Sequence, residues 1–227
     1  ETVFNEFDVV WVRISESWAD AALADVVSPG AASSAKAVRI SIDGQEQEVP
    51  KDKVELACVG QDFAEDIAEL SNLNEPSLLE LVHKRYSSGN PASIYTRAGP
   101  VLVAVNPFTD VSELYAAEVR DRHRQAARRG TVLPPHVYES AASAYRSVCL
   151  GKAQSIIING ESGAGKTETT KILLTYLTSA AANEPSSRRK TSVSASSLIS
   201  QVIASSPALE CFGNAKTLRN DNSSRFG

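Results

Sequence analysis

Between Val9 and Ala57, apolar side chains alternate with polar ones. Val9, Val10 and Val12 flank Trp11, and Val38, Ile40 and Ile42 alternate with Arg39 and Ser41. A period of two puts one row of side chains on each face of a strand, so this stretch predicts short strands. Asp43-Gly44 is a hairpin turn, and Ser28-Pro29-Gly30-Ala31-Ala32-Ser33-Ser34 has the composition of a loop. The expectation is a small β-barrel over residues 1–57, with Trp11 and Trp18 in its core rather than offered to a ligand.

From Gln61 the period lengthens. Ile67, Leu70 and Leu73 fall on one helical face, and Pro76 opens a second helix carrying Leu78, Leu79, Leu81 and Val82. Asp62, Glu65, Asp66 and Glu69 read as the solvated face, without the spacing of a metal site. His83 reads as a partly exposed helix residue. Ile94-Tyr95-Thr96 and Val101-Leu102-Val103-Ala104-Val105 predict paired strands about the Ala98-Gly99-Pro100 turn. Asn106-Pro107-Phe108 ends the second, because proline cannot continue a ladder. A helix is expected from about 135 to 150, through Val137, Ala141, Ala144, Tyr145 and Val148. The β-branched run Ala153-Gln154-Ser155-Ile156-Ile157-Ile158-Asn159 reads as a buried strand. Ile172, Leu173, Tyr176 and Leu177 recur at helical spacing. Ala180 to Ser197 has the small, polar composition of a surface loop. Leu198, Ile199, Val202 and Ile203 predict another helix, broken by Ser206-Pro207.

Composition narrows the classes. With 42% hydrophobic and 22% charged residues, the chain has the ordinary balance of a soluble globular protein. A net charge of −4 gives no reason to expect nucleic acid as a partner. Arg120, Arg122, Arg124, Arg128 and Arg129 lack interleaved aromatics and read as a solvated helix face. Arg188-Arg189-Lys190 reads as part of a loop rather than a localisation signal. No apolar run reaches membrane-spanning length, and no signal-peptide pattern follows Glu1. Cys58, Cys149 and Cys211 are too far apart for a disulfide framework, which suggests a reduced, cytosolic setting. The chain has no Met, and is expected to be a piece of a longer one.

The chemistry concentrates in Gly160-Glu161-Ser162-Gly163-Ala164-Gly165-Lys166-Thr167, a full match to G-x-x-x-x-G-K-S/T between a candidate strand and a candidate helix. Successive backbone N–H groups in such a loop can cradle phosphate oxygens at the positive end of the following helix. Lys166 supplies a point charge toward β- and γ-phosphates, and the Thr167 hydroxyl suits Mg²⁺.

Together with Glu168 and the terminal Asn214-Ala215-Lys216-Thr217-Leu218-Arg219-Asn220-Asp221-Asn222-Ser223-Ser224-Arg225-Phe226-Gly227, this loop resembles the myosin motor head. The terminal stretch is similar to that family's switch I, and Leu209-Glu210-Cys211-Phe212-Gly213 to the segment just before it. Asn106-Pro107-Phe108 resembles the purine-binding loop, with Tyr115 as the adenine-side tyrosine. Residues 1–57 resemble the SH3-like subdomain. The resemblance implies an α/β fold, with a P-loop NTPase partial motor core of the myosin/kinesin type over residues 58–227, preceded by the small SH3-like β-barrel and stopping after switch I. It implies an ATPase that moves along actin filaments, with ATP and Mg²⁺ as cofactors. Asn106, Pro107, Tyr115, Gly160 to Glu168, Asn220 and Ser223 would contact nucleotide, and Thr167 and Ser224 the metal. Ser223 would stand beside the attacking water, and Arg225 would pair with a switch II carboxylate beyond this chain.

Light chains or calmodulin are implied partners of the full-length protein, in the cytoplasm and cytoskeleton. The piece alone is expected to be a weak or inactive ATPase. Thr169 stands where many myosins have Asn. A kinesin-like motor is disfavoured because Phe226-Gly227 follows Arg225 where that family has Ser-His. A scaffold merely stabilised by nucleotide is disfavoured by the intact Lys166, Thr167, Ser223, Ser224 and Arg225.

Overall fold

Each of the first four strands pairs with its neighbour in sequence, and the fifth returns to the first. In the computed structural model, which describes residues 3–6, 8–28, 37–182, 197, 201, 204–205, 208, 211–216 and 223–224, β1 (Val9–Val12), β2 (Ala22–Ser28), β3 (Ala37–Ile42), β4 (Gln45–Pro50) and β5 (Val54–Leu56) form one antiparallel sheet in the order β4-β3-β2-β1-β5. The register opposes Val10 to Ala24, Val26 to Ile40, Val38 to Val49 and Val12 to Val54. All eight are buried and, with Phe4, make one core. A one-residue slip would turn each apolar row to the opposite face, so the core fixes the register. Full burial of each valine, isoleucine or phenylalanine among them contributes about 1.5–3 kcal/mol. Asp43 and Gly44 take the positive φ values of 50° and 80° that the β3–β4 hairpin needs. Trp11 is buried as expected; Trp18 is only half-buried, with the Arg13 guanidinium 5.4 Å from its ring centroid.

Two compact units divide the chain, Glu1–Val101 and Leu102–Gly227. In the first, the expected helix through Ile67 shrinks to a 3₁₀ turn, Ile67–Glu69. Asp66 is extended, and its Oδ1 accepts from the N–H groups of Ala68 (2.9 Å) and Gly99 (3.1 Å). Those bonds hold its carboxyl below the usual range. They also commit the backbone to a cap where a helix would have continued. The helix α1 (Glu75–Ser87) forms as expected, with Asn74 capping Ser77 N–H and Pro76 in its first turn. Arg85 of α1 donates to Thr96 Oγ1 and to the carbonyls of Phe63, Ala64 and Tyr95, at 2.9–3.0 Å. This buried guanidinium ties α1 to β6 (Tyr95–Ala98) and to the loop at 63–64 without a carboxylate partner in those four bonds.

The second unit holds β7 (Val101–Ala104) from Leu102 onward and, among its described residues, the helices α2 (Ala117–Arg129), α3 (Val137–Cys149) and α4 (Lys166–Ala182). Tyr138 and Tyr176 are buried with ring centroids 5.0 Å apart, joining α3 to α4. His123 of α2 stacks on His136 at 4.7 Å. In the basic stretch, Arg122, Arg128 and Arg129 are exposed as expected; Arg120 and Arg124 are half-buried.

Two expectations are corrected here. Residues 153–159 are not a strand: no described segment pairs with them, and a strand exists only through its ladder. Ile157 is 88% exposed as a result. The loop expected from Ala180 begins later, since α4 runs through Ala182 with Ala180 buried beneath it. Its remainder, 183–196, lies outside the described residues, as do Leu198, Ile199, Val202 and Ile203; Ser197, Gln201, Ala204, Ser205 and Ala208 are helical. Near the end, β8 (Asn214–Ala215) pairs antiparallel with β9 (Ser223–Ser224).

Candidate phosphate-binding site

The segment Gly160–Gly165 leads directly into α4. Gly163 and Gly165 have φ values of 84° and 91°. A side chain at either would be strained, which accounts for glycine at these two positions of the motif. The Thr169 N–H donates to Gly165 O at 2.9 Å, so helical bonding starts at the loop's last residue. The N–H groups ahead of it are the ones a helix leaves without internal partners, and they carry the positive end of the dipole.

Lys166 folds back over this loop. Its Nζ donates to Gly160 O and Glu161 O, both at 2.8 Å, closing the segment into a ring with the cation over it. Two neutral carbonyls hold an ammonium less strongly than phosphate oxygens would, so this is a resting place from which the charge can transfer to an anion. The Thr167 side chain is exposed. Glu168 pairs with Lys171 at 2.7 Å, an exposed contact of small energetic weight.

A second segment is fastened to the loop. Asn106 Nδ2 donates to Gly163 O at 2.7 Å, and Asn106 Oδ1 accepts from Phe108 N–H at 3.0 Å. Between them Pro107 is half-buried, while Phe108 is 81% exposed with φ at 51°. Val105, Asn106, Phe108 and Glu161 to Ala164 line a cleft of about 460 Å³. That is a size suited to a small molecule.

The structure thus brings Asn106 together with Gly160 to Ala164 and Lys166. Tyr115 is not among the residues lining the cleft: its ring lies 5.8 Å from His136 and 6.3 Å from Tyr138, and its carbonyl accepts from Tyr138 Oη. Asn220 and Arg225 lie outside the described residues; Ser223 and Ser224 are described only as backbone of β9. The donors present suit phosphate and a hard cation, namely a loop of N–H groups, one ammonium and the Thr167 hydroxyl. Among the described residues, no group of His, Cys, Asp or Glu has the arrangement of a metal site.

Sequence reasoning did not find two features. Phe108 entered as the end of a strand and as part of the segment resembling the purine-binding loop, but its turned-out conformation was not foreseen, although Asn before Pro is a turn signal that could have shown the following residue to be re-aimed. His136 was passed over entirely. It caps α3, with Nδ1 accepting from Tyr138 N–H at 3.0 Å, so the proton sits on Nε2 and is donated to Leu114 O at 3.1 Å. Burial, and then the neighbouring His123, push its pKa down to about 4.

The family model for the myosin head (motor domain) matches residues 64–227. Myosin-4 of Saccharomyces cerevisiae is 44% identical over 164 residues, covering 72% of this chain and 11% of that protein. Myosin-1 of Arabidopsis thaliana is 47% identical over 167 residues, 73% of this chain and 13% of the relative. Protein OPAQUE1 of Zea mays is 38% identical over 224 residues, 96% of this chain and 14% of the relative. The chain therefore spans only about a tenth to a seventh of these relatives.

Proposed function

The chain belongs to the myosin head (motor domain) family, and on that premise we propose that it is part of an actin-based motor that binds and hydrolyses Mg·ATP. The five-stranded sheet serves as the SH3-like subdomain at its start. The observation that carries the nucleotide reading is the closed loop itself: Gly160 to Gly165 bridged by Lys166 Nζ and fastened through Gly163 O to Asn106.

Phosphoryl transfer asks a protein for positioning and charge stabilisation far more than for covalent chemistry. The loop N–H groups and the start of α4 hold the β- and γ-phosphates, and Lys166 leaves its two carbonyls to neutralise them. Thr167 and Ser224 hold the metal. Mg²⁺ held there would supply charge compensation for the phosphate oxygens. Asn220 donates to the phosphates, Ser223 orients the attacking water, and Arg225 closes the site against a carboxylate. Asn106, Pro107 and Tyr115 take the purine end. The match to the myosin head over residues 64–227 supports this reading over a kinesin-like one.

Lys166→Ala in the full-length protein tests it. Removing one charge-assisted phosphate contact costs about 1.5–3 kcal/mol, or roughly 10- to 150-fold in affinity. Titration calorimetry with Mg·ATP measures the loss. Affinity and turnover equal to the parent's would remove Lys166 from the site.

A further inference from the structure

The basic stretch that closes α2 carries a pattern the motor reading does not use. Arg128-Arg129-Gly130-Thr131-Val132 sets two guanidinium groups three and two residues ahead of a hydroxyl, with an apolar residue just after it. Arg128, Arg129, Thr131 and Val132 are all exposed, Val132 at 76%. Among the described residues, the Thr131 hydroxyl makes no hydrogen bond. The hydroxyls of Thr170 and Thr175, by contrast, are committed to backbone carbonyls of α4. A similar run, Lys84-Arg85-Tyr86-Ser87, shows what exposure decides. Arg85 is 5% exposed and already donates to Thr96 and three carbonyls, so no outside carboxylate can pair with it.

Local structure leaves the Thr131 segment accessible. Gly130 ends α2 at a φ of 71°, and its N–H and that of Thr131 both donate to Ala126 O, which caps the last turn. Helix ends open at little cost in free energy, so residues 128–132 can take the extended form that an enzyme groove requires. Gly130 and Thr131 line a cleft of about 180 Å³ together with Glu139 and Arg146 of α3.

We propose that Thr131 is a phosphorylation site for a protein kinase whose substrate groove reads arginine through carboxylates. Guanidinium forks pair bidentately with carboxylates, so Arg128 and Arg129 mark the segment, and Val132 fills an apolar position beside the acceptor. Thr131 Oγ1 attacks the γ-phosphorus of the kinase's Mg·ATP. The bond from that phosphorus to the oxygen shared with the β-phosphate breaks, ADP leaves, and the hydroxyl proton passes to the kinase's catalytic carboxylate. The product carries close to two negative charges at neutral pH. Glu139 and the negative end of the α2 dipole oppose it. Arg128 and Arg129 in the last turn and Arg146 across the cleft favour it, and charge-assisted bonds to phosphate outweigh the partial charge of a helix end. The phosphate therefore fastens the end of α2 to α3.

The test incubates the full-length protein with Mg·ATP and the catalytic subunit of cyclic-AMP-dependent protein kinase, an arginine-directed enzyme, and maps phosphopeptides by mass spectrometry. Phosphate should appear on Thr131 and be absent there in T131A. R128A/R129A should slow its incorporation on the order of ten-fold, the scale of one lost charge-assisted pair. The run Arg188-Arg189-Lys190-Thr191 is a second such sequence, so the phosphate must be assigned to its residue, and any incorporation at Thr191 should be the same in all these variants. Amide exchange in a peptide covering 127–133 should slow about five-fold on phosphorylation. R146A should accept the phosphate as fast as the parent and lose that slowing.

No phosphate on Thr131, or incorporation at the parent's rate in R128A/R129A, would overturn the site. Phosphorylation that leaves exchange unchanged or faster would overturn the fastening to Arg146, with the dipole and Glu139 then prevailing.

Discussion

The five-stranded sheet and the surroundings of the phosphate loop treat the same kinds of residue in opposite ways. Val10, Val38 and Ile40 are 0% exposed in the sheet, whereas Ile157 is 88% and Phe108 81% exposed in the second unit. Hydrophobicity is alike in the two places; access to a partner is not. From β1 to β4 each strand is antiparallel to the next in sequence, and β5 returns to pair with β1, so every apolar row closes on another within the same fifty-odd residues. An apolar run such as Ile156-Ile157-Ile158 suits a strand covered on both faces, whose neighbours arrive only through long crossovers. Preference belongs to the residue; burial belongs to the pairing.

The sharpest way to break that comparison is to delete the same atoms in both places. Ile40→Ala should cost about 2–5 kcal/mol, as a buried isoleucine truncated in a packed core does. Ile157→Ala in the same 227-residue chain should change stability by no more than about 0.5 kcal/mol. Both tryptophans, Trp11 and Trp18, lie in the first unit, so urea unfolding followed by their fluorescence reports on Ile40→Ala. Far-UV circular dichroism follows the helices of the second unit for Ile157→Ala. Equal losses would mean that residues 153–159 are packed in solution, and the contrast would collapse.

The units should also part in their response to acid. The buried cation of the first, Arg85, remains protonated at any ordinary pH. The second buries His136 as a neutral ring whose pKa is pushed down to about 4. An unfolded histidine takes up its proton near 6.5, so between about 6.5 and 4 the unfolded chain binds more protons than the folded one. Stability contributed by neutral His136 is complete above that window and is lost as pH falls through it, up to about 3 kcal/mol in all. Helix unfolding measured from pH 7.5 to 4 should show this decline. His136→Asn replaces the capping Nδ1 of α3 with a side-chain oxygen and removes the titrating ring, so its profile should be flatter. A parent profile already flat across the window would mean that His136 is hydrated in solution.

Legibility in the sequence follows the same division. The sheet could be read almost strand by strand, because alternation and the Asp43-Gly44 turn are local signals whose partners are also local. So could α1, α3 and α4, through Pro76, the apolar spacing of Val137 to Val148, and the glycines ahead of Lys166. The helix expected through Ile67 failed because Asp66 bonds to Gly99, thirty-three residues on, and no local periodicity announces that. At the site the loop glycines and Lys166 were legible from the motif. The grip of Asn106 on Gly163 and the turned-out ring of Phe108 were not, since each depends on two segments meeting.

The smallest expected effect bears on that grip. Asn106→Ala removes the donor to Gly163 O and the acceptor for Phe108 N–H, two bonds at a half-buried side chain. Water replaces part of each, so global stability should fall by only about 1 kcal/mol. The local consequence is larger in kind: the two segments lose their common fastening. Amide exchange read by mass spectrometry should rise about five-fold in peptides covering 105–109 and 160–165, the factor that 1 kcal/mol of local opening allows. The β3–β4 hairpin should exchange as before. Asn106→Asp separates the two bonds, because it keeps the Oδ1 acceptor and replaces the amide donor with a second oxygen. The Phe108 amide should then stay slow while the 160–165 peptide speeds up, with a carboxylate facing Gly163 O. If both peptides stay slow in Asn106→Ala, the loop holds its shape through Lys166 and its glycines alone, and Asn106 only rests against it.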